Sequence, residues 1–307
     1  PNSSSPGKIV AGDFDGNGTT DLAVALQDNG GVIVLSNGGA MNFTAVGTFA
    51  TGDEPRGLSV GDIDGDGDLD LAVANRDGNS ASILTNNGAG SFTVQTVAAG
   101  QDPRDTALGD FDGDGDMDLA VSSHDTRQIL LFTNTGGVFA AGQALSTGAL
   151  LRPDGVTAAD LDGNGTIDIA AGTGDPERAS VWLNNGGGAF SARVDYPTGG
   201  ANTSEIIAAD LDCDGFPELV TVNSDSNNLS VLPNLGNGTF GGAMLLATGT
   251  DPQDVIAADI DGDGDSDLIT VNQLTNDASI FVNQSGQPGG GPAMLTDANV
   301  FFGFLLS

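Results

Sequence analysis

Basic residues are scarce in this chain. Lysine and arginine together number 8 against 42 aspartates and glutamates, with one histidine, so the formal net charge is −34. Phosphate backbones and anionic bilayers are held by clustered cations, so the balance argues against nucleic acid and a charged membrane surface as partners. Cysteine occurs once, as Cys213, which rules out an intramolecular disulfide and leaves the redox compartment open. Aromatics make up 5%. No apolar run is long enough to cross a bilayer; the longest candidate, residues 300–306, is far too short. No secretory leader is evident, and the stretch 1–7 reads as a mature or trimmed start and a short N-terminal extension.

What is abundant is glycine, 48 residues of 307, and acid set out at intervals. One nine-residue pattern recurs six times, at residues 13–21, 62–70, 110–118, 160–168, 210–218 and 259–267. The first aspartates lie 49, 48, 50, 50 and 49 residues apart, a period that suits one four-stranded blade of a β-propeller and is long for one coil of a solenoid. Each period reads alike. A short apolar run precedes the acidic stretch and a second follows it, as in Leu71-Ala-Val-Ala74. A third comes after a polar turn, then a Gly-rich turn ending in Phe, as in Asn185-Gly-Gly-Gly-Ala-Phe190, then a less regular fourth. Runs this short, bounded by Gly, Asn and Asp, predict strands. The first run ends in small residues, such as Ala11-Gly12 and Ala208-Ala209, which suits an innermost strand. The predicted fold is all-β: six four-stranded antiparallel blades over residues 8–286, starting near 8, 56, 104, 153, 203 and 252, with seven blades the lesser alternative.

The segments Gly61-Asp-Ile-Asp-Gly-Asp-Gly-Asp-Leu-Asp-Leu-Ala-Val-Ala-Asn75 and Asn234-Leu-Gly-Asn-Gly-Thr-Phe240 resemble the FG-GAP/VCBS repeats of integrin-α-like propellers. The resemblance covers about residues 8–285. It implies a calcium-binding propeller of the kind found in secreted bacterial proteins, adhesins and some lectins. The sixth repeat departs from the pattern. It lacks the Gly-x-Phe turn after Asn283 and runs into a Pro/Gly linker, then an apolar end, within residues 287–307. That end either supplies the outer strand of the last blade or pairs with a neighbouring molecule.

The acidic stretches themselves read as metal loops. Calcium takes six to eight oxygens, often from alternate positions of a tight loop, whereas magnesium holds its waters and demands a stricter octahedron. Positions 1, 3, 5 and 9 offer side-chain oxygen in every loop. These are Asp13, Asp15, Asn17 and Asp21; Asp62, Asp64, Asp66 and Asp70; Asp110, Asp112, Asp114 and Asp118. The later loops supply Asp160, Asp162, Asn164 and Asp168; Asp210, Asp212, Asp214 and Glu218; Asp259, Asp261, Asp263 and Asp267. Position 7 would offer its backbone carbonyl: Thr19, Asp68, Asp116, Thr166, Phe216 and Asp265. Glycines at positions 4 and 6 allow the positive φ that folds the loop round an ion. An EF-hand is excluded because position 12 is an apolar or Thr residue inside a strand and not a bidentate Glu. Of the 42 acids, 25 lie in these loops. Turn formation alone would need one or two such residues per loop, not the same ligand positions six times over. Six Ca²⁺, +12 in all, would bring −34 to −22. The fifth loop is irregular, with Cys213 at position 4, Pro217 at position 8 and Glu218 closing it, and is expected to be the weakest or most distorted.

Strand alternation puts the loops after strands 1 and 3 on one face and those after strands 2 and 4 on the other. The scarce cations gather on the second: Arg56, Arg104 and Arg152 ahead of a first strand, Arg76, Arg127, Arg178 and His124 between strands 2 and 3, and Lys8 before the first strand. They either form a face for a glycan or an acidic protein, or make local turn contacts. For catalysis there is little: a single histidine and no Gly-x-Ser-x-Gly elbow. The expectation is a secreted or surface-exposed, non-enzymatic binding or adhesion module with a protein or glycan ligand. The alternatives are a structural subunit that self-associates, through its C-terminal segment or opposed faces, into a sheath or fibre, and a lectin-like or polysaccharide-processing propeller.

Overall fold

The structure is a computed structural model that describes residues 5–174 and 176–284 and the backbone of 296–300. The Pro/Gly linker, the apolar residues 301–306, Asn2 and Asp175 lie outside the described residues.

Six four-stranded antiparallel sheets follow one another along the chain, the blades of a six-bladed β-propeller, as the repeat spacing predicts. Blade 1 comprises β1 (Pro6–Gly12), β2 (Asp21–Leu26), β3 (Gly31–Asn37) and β4 (Phe43–Ala50). Blade 2 holds β5 (Pro55–Gly61), β6 (Asp70–Asn75), β7 (Ser80–Asn86) and β8 (Phe92–Ala98); blade 3 holds β9 (Pro103–Gly109), β10 (Asp118–Ser123), β11 (Gln128–Thr135) and β12 (Val138–Ser146). Blade 4 has β13 (Arg152–Ala159), β14 (Asp168–Gly174), β15 (Arg178–Trp182) and β16 (Val194–Pro197). Blade 5 has β17 (Thr203–Ala209), β18 (Glu218–Asn223), β19 (Asn228–Leu232) and β20 (Met244–Ala247). Blade 6 has β21 (Pro252–Ala258), β22 (Asp267–Asn272), β23 (Asp277–Val282) and β24 (Thr296–Val300), and β24 pairs antiparallel with β23. β1 begins at Pro6, so Lys8 lies inside the first strand and not ahead of it. Arg56, Arg104 and Arg152 likewise lie within the first two residues of β5, β9 and β13 and not in the preceding connections.

The chain forms two compact units, Pro1–Val156 with Gly186–Ala189, and Thr157–Asn185 with Phe190–Ser307. In the first, Ala23, Val32 and Val34 of blade 1 pack on Leu58, Leu71, Val73 and Leu84 of blade 2. Blade 2 in turn packs Ala72, Ala74, Ala81 and Ile83 on Leu119, Val121 and Phe132 of blade 3. In the second, Val220, Val222, Leu229 and Val231 of blade 5 meet Val255, Leu268 and Phe281 of blade 6. A blade covered on both faces needs apolar residues at consecutive positions. That is why β6, β10 and β18 are buried at all six of their residues, while outer strands such as β4 alternate towards solvent. First strands of neighbouring blades approach closely: a Cβ on Gly57 would lie 2.4 Å from Asp105 Cα, so a larger residue cannot stand there. Among the described residues no helix is long and apolar enough to cross a membrane.

Candidate metal centre

In each blade the acidic loop joins the first strand to the second. The ladder sets its ends: Gly12 pairs with Asp21, Gly61 with Asp70, Gly109 with Asp118 and Ala258 with Asp267, so position 9 closes the loop as the first residue of the next strand. The position-1 carboxylate organises the turn. Gly65 and Gly67 donate their N–H to Asp62 Oδ1 and Oδ2 at 2.9 and 3.1 Å. Asp110, Asp160 and Asp259 repeat this with their own glycines between 2.7 and 3.1 Å. The position-5 oxygen accepts the N–H of position 7, as Asp66 does from Asp68 and Asn164 from Thr166. Positions 4 and 6 adopt positive φ, for example 82° and 98° at Gly113 and Gly115, as the sequence predicts.

Position 9 is the deepest of the set. Asp21, Asp70, Asp118, Asp168 and Asp267 are 0% exposed. One carboxylate oxygen accepts the N–H of position 2 and the other the N–H of an Asn at the end of strand 3. Asp118, for instance, takes Phe111 N–H at 2.9 Å and Asn134 N–H at 2.7 Å. Glu218 fills the same role in loop 5, accepting from Leu211 at 2.9 Å and from Asn234 at 3.3 Å. Its longer side chain thus keeps the hydrogen-bond pattern, and Asp210 still takes two loop N–H groups. Burial pushes Asp70 and Asp168 up to about 6 against the opposing pull of their backbone donors, and raises Asp118 and Glu218 for the same reason. Asp64 and Asp212 are raised by burial first and then by the neighbouring carboxylates Asp66 and Asp214.

The side chains named from the sequence converge. One oxygen from each of Asp13, Asp15 and Asp21 lies within 4.8 Å of the others, as do those of Asp62, Asp64 and Asp66, of Asp110, Asp112 and Asp118, and of Asp160, Asp162 and Asp168. A hard cation fits this donor set, which is all oxygen and strongly anionic. Asp64 Oδ1 is also buried and accepts no hydrogen bond, a position tenable when a cation takes the lone pair. Position-7 side chains turn elsewhere: Asp116 Oδ2 accepts Gly136 N–H at 2.9 Å and Thr166 Oγ1 donates to Asn184 O at 2.7 Å. That leaves their carbonyls as the candidate ligands.

One functional residue went unread in the sequence. The Asn that ends strand 3 ties the metal loop of one blade to the next. Asn86 Nδ2 donates to Phe14 O at 2.8 Å and to Leu69 O at 3.1 Å, so it holds position 2 of the preceding loop and position 8 of its own. Asn134 does the same to Ile63 and Met117, Asn234 to Leu161 and Pro217, and Asn283 to Leu211 and Ser266. A signal was present. Asn37, Asn86, Asn134, Asn184, Asn234 and Asn283 each follow the last loop acid by 16 residues.

The cations of the opposite face are largely engaged by acids. Arg76 bonds Glu54 at 2.6 Å and Asp102 at 3.0 Å; Arg104 bonds Asp102 at 2.9 Å and Asp154 at 2.5 Å; Arg152 bonds Asp125 at 2.8 Å. His124 Nδ1 sits 3.1 Å from Asp102 and 3.2 Å from Asp125, and burial lowers its pKa. Lys8 reaches Asp105 at 3.1 Å. Arg56 is part-buried, and burial followed by the charge of Arg104 lowers its pKa. Arg127 Nε is buried without a hydrogen bond, and Arg178 donates to the carbonyl of Glu177. Cys213 is exposed, with Sγ 3.5 Å from Asp265 Oδ1, a contact that pushes the thiol up and away from thiolate chemistry.

Acidic metal-type loops, one to each four-stranded blade, define a class: a β-propeller built from acidic-loop repeats. The chain matches the FG-GAP-like repeat over residues 13–73, 62–121, 110–171, 160–221 and 211–270, and belongs to that family. No curated protein is a significant match. Among solved structures it is similar to a lectin of Agrocybe aegerita described as recognising non-reducing terminal N-acetylglucosamine, at 22% identity and a TM-score of 0.63, over 95% of this chain and 80% of that one. A Lactobacillus plantarum protein is similar at 19% identity and TM-score 0.69, over 95% and 84%. A Bacteroides fragilis protein described as a candidate 6-phosphogluconolactonase is similar at 15% identity and TM-score 0.72, over 95% and 83%. Likeness at these identities is a likeness of fold.

Proposed function

We propose that this chain is an extracellular calcium-binding β-propeller that serves as a binding or adhesion module. The supporting observation is the recurrence of one loop in which carboxylates approach to within 4.8 Å while backbone N–H groups fix their orientation. When bound, calcium would neutralise the clustered charge and cross-link positions 1, 3, 5, 7 and 9 of each loop. The chain's own residues do the rest. Position 1 folds the turn, position 9 anchors it to the sheet, and the Asn after strand 3 fastens it to the next blade. Loops of this kind in extracellular modules bind calcium at about 10⁻⁴–10⁻³ M, which suits surroundings already rich in the ion.

Calorimetric titration of chelator-stripped protein with Ca²⁺ and Mg²⁺ tests the reading. The expected result is calcium binding at about six sites, with magnesium weaker. No calcium heat and an unchanged melt would refute it. The ligand class is tested with a glycan array, which the lectin neighbour motivates, and any hit is followed by product analysis. Because other neighbours are described as candidate 6-phosphogluconolactonases, hydrolysis of 6-phosphogluconolactone is assayed alongside. The proposal expects no turnover.

A further inference from the structure

The six acidic loops differ at positions 5 and 7. Loops 2, 3 and 6 carry two aspartates there: Asp66 and Asp68, Asp114 and Asp116, Asp263 and Asp265. Loops 1 and 4 carry an amide and a hydroxyl instead, Asn17 with Thr19 and Asn164 with Thr166. Loops 1 and 4 therefore hold three acids each, and loops 2, 3 and 6 hold five. The exchange also turns acceptors into donors. Asn164 Nδ2 and Thr166 Oγ1 both reach Asn184 O, at 3.0 and 2.7 Å, and Asn17 Nδ2 and Thr19 Oγ1 both reach Asn37 O. Ionised aspartates have no proton to give a carbonyl, so loops 2, 3 and 6 cannot make this bridge. The bridged carbonyl belongs to the Asn that ends strand 3 of the same blade. That residue's N–H already holds position 9, Asp21 at 2.7 Å and Asp168 at 2.6 Å. One residue thus fastens positions 5, 7 and 9, and every contact lies within a single blade.

The oxygens that would face an ion are also more fully used in the bridged loops. An amide has a single oxygen. Asn164 Oδ1 accepts Thr166 N–H at 2.7 Å and lies 2.5 Å from Thr166 Oγ1, and Asn17 Oδ1 stands the same way to Thr19. A carboxylate at position 5 has a second oxygen: Asp66 gives Oδ1 to Asp68 N–H at 3.0 Å and still has Oδ2 to offer. Position 3 shows the same contrast. Asp15 accepts Asn17 N–H at 3.2 Å on Oδ1 and Ser36 O–H at 2.6 Å on Oδ2, whereas Asp64 Oδ1 is buried and accepts no hydrogen bond. A buried carboxylate oxygen without a donor is tenable where a cation takes its lone pair. Loop 2 leaves to an ion what loop 1 supplies from its own chain.

We propose that the loops form two classes. Loops 1 and 4 are closed by their own Asn–Thr bridge, keep their shape without metal, and take calcium about tenfold more weakly than loops 2, 3 and 6, which close round the ion. The division rests on the calcium reading above and adds to it the residues that separate the sites. Two effects oppose each other. A loop already closed loses less freedom on binding, which favours loops 1 and 4. Position 5 is a direct ligand, however. A carboxylate there sets a full charge against a divalent ion, while the amide offers a dipole whose oxygen is already shared with a hydroxyl. Calcium affinity follows ligand charge count and rigidity together, and with five acids against three the charge decides. As calcium falls, loops 1 and 4 empty first and lose no shape, so the five-acid loops set the concentration at which structure is lost. Loop 5, with four acids and Phe216 at position 7, has neither the bridge nor the full charge and belongs to neither class.

The test uses the full chain stripped with EDTA. Amide hydrogen exchange, read by mass spectrometry on peptides covering each loop, should find loops 1 and 4 equally protected with and without calcium. Loops 2, 3 and 6 should exchange about tenfold faster in EDTA than in calcium. Calorimetric titration then compares the wild type with two double variants. Asn17→Asp with Thr19→Asp gives loop 1 the five-acid pattern; one site should gain about tenfold in affinity, and loop 1 should lose its protection in EDTA. Asp66→Asn with Asp68→Thr gives loop 2 the bridge; one site should weaken by about as much, and loop 2 should become protected in EDTA. The two exchanges act in opposite directions on different blades, so if one variant misfolds the other still decides. A single class of sites in the wild type, unchanged by either exchange, overturns the proposal and leaves the calcium reading intact. So does metal-free exchange in loops 1 and 4 as fast as in loops 2, 3 and 6. Absence of calcium binding at every loop overturns both.

Discussion

Asn134→Ala measures what the inter-blade latch contributes. Asn134 is 0% exposed. Its Nδ2 donates to Ile63 O at 2.7 Å and Met117 O at 2.9 Å, and its Oδ1 accepts Gly137 N–H at 2.9 Å. The backbone N–H bond to Asp118 survives truncation, so three side-chain bonds are lost. At about 1 kcal/mol each, with buried partners left unpaired, the expected destabilisation is about 3 kcal/mol. For a urea slope near 3 kcal/mol/M that is a midpoint shift of about 1 M. Asn37→Ala is the internal control. That side chain is half-buried and bonds only within its own blade, to Thr20 O and Gly39 N–H, so about 1 kcal/mol is expected. Urea unfolding of both variants in saturating calcium decides the matter. Equal shifts for the two, or a loss below 1 kcal/mol at Asn134, would show that the latch is dispensable and that apolar burial alone joins the blades.

Chelation with EDTA should lower the melting temperature sharply, and Asp64→Asn should remove one calcium from the calorimetric stoichiometry while the fold persists. Metal-free protein should gain stability as the pH falls from 7.5 to 5. The folded-state values near 6 for Asp70 and Asp168 lie above the unfolded value of about 3.9, so the folded form takes up these protons first and loses that advantage as pH rises through 6. In calcium the order should reverse, because protons and metal compete for the same oxygens; thermal melts with and without EDTA check both, and a metal-free melt that declines steadily on acidification would contradict the burial argument. Cys213→Gly should cost nothing and is expected to stabilise by up to about 1 kcal/mol, because Cys213 holds φ at 60° where the other loops have glycine. A loss greater than 1 kcal/mol in the same urea assay would show that the thiol's contact with Asp265 outweighs the strain.

Much of the molecule was legible in advance because its information is local and repeated. A period near 49 residues, apolar runs of four and Asp-rich loops with glycine at positions 4 and 6 specify strands, turns and donor positions without reference to anything distant in the chain. Other features were misplaced for want of an edge signal. Lys8, Arg56, Arg104 and Arg152 follow turn-like residues and read as connections, but the ladder takes them in because pairing with strand 2 extends over them or close beside them. The constant interval of 16 residues from loop acid to Asn was in plain view, yet an Asn before a Gly-rich turn is an ordinary turn residue until the carbonyl it grips is located.

Sequence alone thus determined the blade count, the strand order within each blade and the position of the acidic loop between the first two strands of each blade, since all of these follow from short-range pattern. Only the tertiary structure decided that position 9 is a buried anchor held by two backbone donors, that Asn86, Asn134, Asn234 and Asn283 bridge blades, and that Arg76 and Arg104 are engaged by Glu54, Asp102 and Asp154. The Asn bridges join groups about 70 residues apart, and Arg76 and Arg104 reach acids 22, 26 and 50 residues away, and no local pattern records which distant carbonyl or carboxylate will be there.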